Sequence, residues 1–183
     1  MTTMLKSMKM KKNEIPEDLL PIFEHIIQVY EGSECDLKFG EAMEKHLTQE
    51  QRFRLYEQNG ACRGTGDDIK RKSFAEKHAH IPLTERLELF EKIFGRNKAV
   101  LNNDNTITVK FACTHGHYRE ARLAKGKYQL PKNIQSYFER CAGGRLYEYQ
   151  KALGIKLRIK SVDVSPLKKD VLNPVVFTFE IVG

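Results

Sequence analysis

The spacing of apolar residues changes along this 183-residue chain, and that change constrains the fold more than any other feature. In several segments between residues 17 and 94, apolar side chains recur every three or four positions, which is the period of an α-helix. From residue 106 onward, several segments have a period of two, which is typical of strands with one buried face. Helices followed by strands predict an α+β fold, with N-terminal helices packed on one side of a twisted antiparallel sheet.

The N-terminal half is predicted to contain five helices, over residues 17–30, 37–47, 49–58, 67–77 and 83–94. Thr48 and Gln51 form the capping-box pattern before the third helix, because each side chain can bond an unpaired backbone N–H of the other residue. Asp67 or Asp68 is predicted to begin and cap the fourth helix.

The C-terminal half is predicted to contain strands over residues 106–111, 155–164 and 175–181. The alternation of apolar residues shifts near Ser161, which indicates a β-bulge. A helical interlude over residues 133–153 separates the first strand from the last two, and Ala142-Gly143-Gly144 is expected to break it. We therefore predict one α+β domain over residues 15–183, with a helical half (15–96) and a sheet-containing half (97–183), preceded by a basic flexible tail (1–14).

The formal charge of +7 is concentrated at the N-terminus, where Lys6, Lys9, Lys11 and Lys12 supply four of the seven charges. The remaining 171 residues carry only +3, so we interpret the tail as a solvated terminus rather than a nucleic-acid-binding arm. The chain has no Trp and no RNP-like aromatic motif, which also disfavours nucleic acid as a partner. No apolar stretch reaches the roughly 18–20 residues that a bilayer requires, so we expect a cytoplasmic protein with no membrane partner.

The segment Cys113-Thr114-His115-Gly116-His117 carries the side chains with the most distinctive chemistry. If the preceding strand continues, Cys113, His115 and His117 lie on one face, and thiolate and imidazole are the ligands that zinc prefers. Residues two apart on a strand are about 6.6 Å apart and can share an ion, whereas residues four apart can do so only if the chain folds back at Gly116. Cys141 could add a further ligand. The alternative is a small buried cysteine beside two histidines that face water.

Cys141 also has an independent interpretation. We predict that Cys141 opens a helix that ends at residue 153, next to Arg140 and Arg145, where the helix dipole and both charges would favour a thiolate. Such a thiol could act as a nucleophile or a redox sensor, with His115 or His117 as the base. The alternative is a buried cysteine that packs in the core.

Several short segments carry a family resemblance: residues 109–113, 130–131, 141–144, 149–154, 165–167 and 175–181. In order and spacing they resemble a family of small bacterial proteins of uncharacterised function, similar in layout to the 4-vinyl-reductase-like and aminothiazoline-carboxylate-hydrolase-like domains. The resemblance covers about residues 105–183. It implies helices over a twisted antiparallel sheet, with a small-molecule or metal pocket between them. Cys113 and Cys141 match two cysteine positions of that family, whereas His115 and Val175 stand where further cysteines would fall.

Three functional hypotheses follow. The first is a domain that binds a small molecule or a metal ion, zinc or another transition metal, with Cys113, His115, His117 and Cys141 as candidate ligands. The second is a thiol-dependent, hydrolase-like enzyme that uses Cys141 as nucleophile and His115 as base. The third is a nucleic-acid accessory protein that uses the basic tail and the strand around residues 156–160. The first two depend on Cys113 and Cys141 meeting around a shared cavity, and the sequence leaves both catalysis and a homodimer open.

Overall fold

The computed structural model describes residues 15–60, 65–95, 98–125 and 127–183. Within those ranges the chain forms eight α-helices and a four-stranded antiparallel sheet, which confirms the predicted α+β class. The predicted tail (1–14) and Cys62 lie outside the described residues.

The N-terminal half contains five α-helices in the order that the helical period predicts. They are α1 Leu20–Val29, α2 Gly32–His46, α3 Gln49–Asn59, α4 Asp68–Lys77 and α5 Leu83–Phe94. The capping box is confirmed, because the Gln51 N–H donates to Thr48 Oγ1 at 3.2 Å and the Thr48 N–H donates to Gln51 Oε1 at 2.8 Å. The predicted start of α4 at Asp67 or Asp68 is confirmed, but the predicted side-chain cap is wrong. Asp67 occupies the N-cap position, but its carboxylate binds the Lys70 ammonium at 3.2 Å instead of a backbone N–H.

The sheet has the strand order β1-β2-β4-β3, with β1 Ala99–Leu101, β2 Thr106–Phe111, β3 Lys156–Asp163 and β4 Val175–Val182. Alternate residues of β2 and β4 form one buried face, where Val109 is paired with Phe177. The register shifts between Ile159 and Ser161, which confirms the bulge. β1 was not predicted, because three residues are too few to reveal an alternation.

The helical interlude is α7, Ile134–Leu153, and it is continuous. The predicted break at residues 142–144 is wrong, because these small residues allow α3 to approach closely instead. A Cβ on Gly143 would lie 2.0 Å from the Tyr56 carbonyl oxygen, and one on Gly60 would lie 2.1 Å from the Gly143 carbonyl carbon. Two short helices, α6 His117–Leu123 and α8 Ser165–Lys169, were not predicted.

α7 packs against α2, α3, α4 and α5 and against strands β3 and β4, so thirteen of its twenty residues are buried. Its buried acids are paired, because an unpaired charge in the interior costs several kcal/mol. Glu139 accepts two hydrogen bonds from Arg52, at 2.6 and 2.9 Å, and Glu148 lies 3.0 Å from Arg71 and 2.6 Å from Arg145. α7 contributes residues to both candidate sites described below.

Candidate functional site

The predicted ligands and nucleophile, Cys113, His115, His117 and Cys141, are called the Cys–His group below. The prediction that the first three continue one strand face is wrong, because β2 ends at Phe111 and α6 begins at His117. The chain turns at Gly116, whose φ of +57° is the conformation the sequence analysis required there. Cys113 is half-buried, His115 is exposed, and His117 is 3% exposed.

His117 is enclosed by aromatic rings. Tyr118, Tyr128 and Phe138 pack edge-on against its imidazole, with ring centroids 4.9, 5.0 and 5.5 Å away. Its Nε2 lies 3.2 Å from the carbonyl oxygen of Val171, so in the neutral ring Nε2 is the donor and Nδ1 is left as an acceptor. Nδ1 is buried and has no hydrogen-bond partner among the described residues. Burial lowers the pKa of His117, which favours the neutral form.

Tyr118 joins the end of β2 to the start of β4. Its hydroxyl lies 3.1 Å from the Phe111 carbonyl oxygen and accepts the Val175 N–H at 2.9 Å. Burial raises the pKa of Tyr118, although the hydrogen bond from the Val175 N–H acts in the opposite direction.

Cys141 is the eighth residue of α7, so the prediction that it opens a helix is wrong. The dipole effect falls off within the first helical turn and does not reach this position. The two neighbouring arginines are also engaged elsewhere, since Arg145 pairs with Glu148 at 2.6 Å and Arg140 faces Asp36 at 3.7 Å. Cys141 is 8% exposed, as in the alternative interpretation of a packed cysteine. Its use as a nucleophile stays a prediction without the support of a helix terminus.

Metal binding by the Cys–His group also stays a prediction. In the part of the chain that the structure describes, no three or more His, Cys, Asp or Glu side chains converge in a way that could hold a metal ion. Of the two other cysteines, Cys35 is buried outside the group, and Cys62 falls in the undescribed segment 61–64.

A second place, which the sequence analysis missed, lies beside the Cys–His group. A cavity of about 280 Å³ opens between α2, α3 and the first turns of α7, and we call it the α2–α7 pocket. Its lining residues are Asp36, Leu37, Gly40, Tyr56, Pro131, Asn133, Ser136, Tyr137 and Arg140.

Two contacts hold α2 against the start of α7 and so form this pocket. Glu44 accepts the backbone N–H of Ser136 at 2.7 Å, which satisfies one of the unpaired donors in the first turn of α7. Gly40 lets the helices approach, because a Cβ there would lie 2.7 Å from the Asn133 amide nitrogen. The i, i+4 spacing of Asp36 and Gly40, and of Ser136 and Arg140, places each pair on one helix face, and this spacing is the only local signal in the sequence.

The polar wall of the pocket contains one pair of side chains that are hydrogen-bonded to each other and one pair that are not. The hydroxyls of Tyr56 and Ser136 lie 2.6 Å apart and bond each other. Burial raises the pKa of Tyr56 well above its ordinary value. In contrast, Arg140 Nη1 lies 3.7 Å from Asp36 Oδ2, which is beyond hydrogen-bonding distance. Asp36 Oδ1 and Arg140 Nε are buried and have no hydrogen-bond partner among the described residues.

Tyr137 connects the two places. Its ring lines the α2–α7 pocket, while its hydroxyl accepts the backbone N–H of His117 at 3.3 Å. Gly116 is required here for a second reason, because a Cβ on it would lie 2.2 Å from that hydroxyl. A shift of Tyr137 would therefore alter both the wall of the pocket and the hydrogen bond to His117.

The strand suggested for nucleic-acid contact is exposed but not uniformly basic. The side chains of Lys156, Arg158 and Lys160 lie on the solvent side of β3. Lys160 bonds Asp104 at 3.1 Å, and Arg158 is paired in register with Glu180. This face is polar and carries both signs of charge, as expected for the uncovered face of an antiparallel sheet.

Comparison with protein-family models, curated proteins and solved structures finds no significant match to this chain. Among the described residues, no helix combines the length and the apolar character needed to span a membrane.

Proposed function

We propose that this chain is a small-molecule-binding domain whose ligand occupies the α2–α7 pocket. The observation that carries the proposal is an ion pair without a hydrogen bond, Asp36 with Arg140, in the wall of a 280 Å³ cavity. Ligand pockets typically have volumes of about 300–1,000 Å³, with mostly apolar walls and a few convergent polar groups. The α2–α7 pocket lies just below that range, and Leu37, Pro131 and Tyr137 supply its apolar surface.

Binding is better supported than catalysis because the pocket lacks an activated nucleophile. Its described lining residues include no His, Cys or Lys, and a hydroxyl nucleophile needs a neighbouring base. Ser136 bonds only the Tyr56 hydroxyl among the pocket residues, and burial disfavours the phenolate that could act as that base. Thiol-dependent catalysis at Cys141 is a separate hypothesis that this pocket does not support.

The first experiment measures thermal unfolding in the presence of a library of small metabolites. A compound at one hundred times its dissociation constant stabilises the folded state by about 2.7 kcal/mol, which for a chain of this length raises Tm by roughly 5–10 °C. We expect at least one compound to do so for the unaltered protein. Leu37→Trp should abolish that shift by filling the pocket.

The matched control is Leu123→Trp, because Leu123 is an exposed leucine on α6 that does not line the pocket. This variant should retain the full Tm shift. A shift that persists in Leu37→Trp would place the ligand elsewhere. A library without any stabilising compound, tested on a folded protein, would contradict the proposal.

A metal ion held by the Cys–His group is the second candidate, because His117 Nδ1 is a buried acceptor without a hydrogen-bond partner among the described residues. Metal analysis of the purified protein and of Cys113→Ala tests it, with Cys35→Ala as the control at a buried thiol outside the group. Stoichiometric zinc that is lost only in Cys113→Ala would support the metal site. Absence of stoichiometric metal from all three proteins would eliminate it.

A further inference from the structure

We infer that the ligand of the α2–α7 pocket is an uncharged molecule that presents a hydrogen-bond donor and an acceptor side by side, as an amide or nucleobase edge does. This inference rests on the proposed function and adds the chemical class of the ligand. It is carried by the geometry of Asp36 and Arg140, which line the pocket from α2 and α7.

The two side chains have opposite charges and form an ion pair, but they share no hydrogen bond. Their closest atoms, Arg140 Nη1 and Asp36 Oδ2, are 3.7 Å apart, whereas a hydrogen bond requires about 2.7–3.2 Å. Each group also has a buried polar atom without a partner, Arg140 Nε and Asp36 Oδ1. The hydrogen-bonding capacity of the pair is therefore not met within the described part of the protein, and a third molecule in the cavity can bond the exposed part of each side chain.

The charge of the pair selects against ions. An anion that approaches Arg140 is repelled by Asp36, and a cation that approaches Asp36 is repelled by Arg140. Both side chains are mostly shielded from solvent, 21% exposed for Arg140 and 28% for Asp36, so a charged ligand would also lose much of its hydration. A neutral amide edge avoids both costs, because its N–H can donate to Asp36 while its carbonyl oxygen accepts from Arg140.

The cavity limits the size of such a molecule. At about 30 Å³ of liquid volume per water molecule, 280 Å³ corresponds to about nine waters. This space accommodates a single ring system of nucleobase size. The half-buried ring of Tyr137 and the side chain of Pro131 provide surfaces against which a planar ring can pack.

The test uses ligand-observed NMR with uracil as the probe and 1,3-dimethyluracil as the matched control, in which both ring N–H donors are methylated. We expect uracil to bind and 1,3-dimethyluracil to bind at least about tenfold more weakly, since a carboxylate left without its donor loses a charge-assisted bond. Asp36→Asn and Arg140→Gln should each weaken uracil binding about tenfold, and circular dichroism and the melting temperature verify that both variants are folded.

Benzoate, benzylamine and leucine serve as anionic, cationic and zwitterionic probes in the same measurement. If one of them binds, loses binding in Leu37→Trp, and uracil does not bind, the ligand class is wrong while the proposed function stands. Equal binding of uracil and 1,3-dimethyluracil would also overturn the inference. If no probe binds, the inference fails, and the library screen then decides separately whether the proposed function fails with it.

Discussion

The Cys–His group and the α2–α7 pocket share Tyr137, but they differ in what their polar atoms are doing. In the Cys–His group, His117 Nε2 is bonded to the Val171 carbonyl, and the neighbouring Tyr118 hydroxyl joins β2 to β4. In the pocket, Asp36 and Arg140 form an ion pair without a hydrogen bond. The group with the more reactive side chains is thus the one more fully used by the fold. The Cys–His group also contains one buried acceptor without a partner among the described residues, His117 Nδ1. The pocket differs because both members of a charged pair carry such an atom, Asp36 Oδ1 and Arg140 Nε.

The largest expected effect comes from a substitution that displaces α3, which forms one wall of the pocket. Gly143→Ala places a Cβ about 2.0 Å from the Tyr56 carbonyl oxygen, which only a backbone shift can relieve. We expect a loss of about 3 kcal/mol in the free energy of unfolding, measured by urea denaturation, together with a loss of ligand binding in the pocket. Gly66→Ala is the control, because a Cβ there meets no atom within 4 Å and should change stability by less than about 0.5 kcal/mol. Equal effects of the two substitutions would contradict the close approach of α3 and α7.

The next effect concerns the other side of Tyr137. Tyr118→Phe deletes the hydroxyl that contacts Phe111 and Val175, so buried backbone groups lose a partner. The expected loss is about 2 kcal/mol in the free energy of unfolding. Tyr128→Phe removes only an exposed bond to Glu120 and should cost less than about 0.5 kcal/mol. If Tyr118→Phe is neutral while still abolishing ligand binding, the Cys–His group belongs to the binding site.

Thiol accessibility separates a packed cysteine from a reactive one at Cys141. Iodoacetamide labelling followed by peptide mass spectrometry reports each cysteine separately. Cys113 is half-buried whereas Cys141 is 8% exposed, so we expect Cys141 to react at least about tenfold more slowly than Cys113. Cys35, at 2% exposure, provides the buried reference. Faster labelling of Cys141 than of Cys113 would favour the hypothesis of a thiol-dependent enzyme that uses Cys141.

The smallest expected effect is a pH dependence that comes from His117. Burial holds its pKa below the ordinary value of 6.5, although the Val171 carbonyl and Glu120 act in the opposite direction. The unfolded state therefore binds a proton near pH 6.5 that the folded state does not, and stability falls as the pH decreases through that value. His117→Gln should flatten the decrease in the urea midpoint between pH 7.5 and 5.5, while His115→Gln, at an exposed position, should not. An unchanged slope in His117→Gln would show that other groups control the dependence.

The sequence predicts the elements whose signal is local. Ile107, Val109 and Phe111 predict the extent of β2, and the parity shift at Ser161 predicts the bulge. The predicted break in α7 was wrong, because the glycine at position 143 is needed for the close approach of Tyr56 and not for a turn. A glycine that permits close packing and a glycine that ends a helix look the same in one sequence.

The pocket lies beyond local patterns for a related reason. Asp36, Tyr56 and Arg140 come from three segments that are up to about one hundred residues apart, and no periodicity connects them. In contrast, the Cys–His group could be proposed from the sequence alone. Thiols and imidazoles have distinctive chemistry, and three of the four residues lie within positions 113–117. The resemblance to 4-vinyl-reductase-like domains stays a prediction, as does a metal site.

Backbone amide NMR with the best library compound tests the central claim most directly, because it locates the ligand without assuming its chemistry. We predict that the largest chemical-shift changes fall on the amides of Leu37, Gly40 and Ser136 in the α2–α7 pocket. Largest changes in the segment 113–117, with little response from α2, would contradict the account and return the ligand to the Cys–His group.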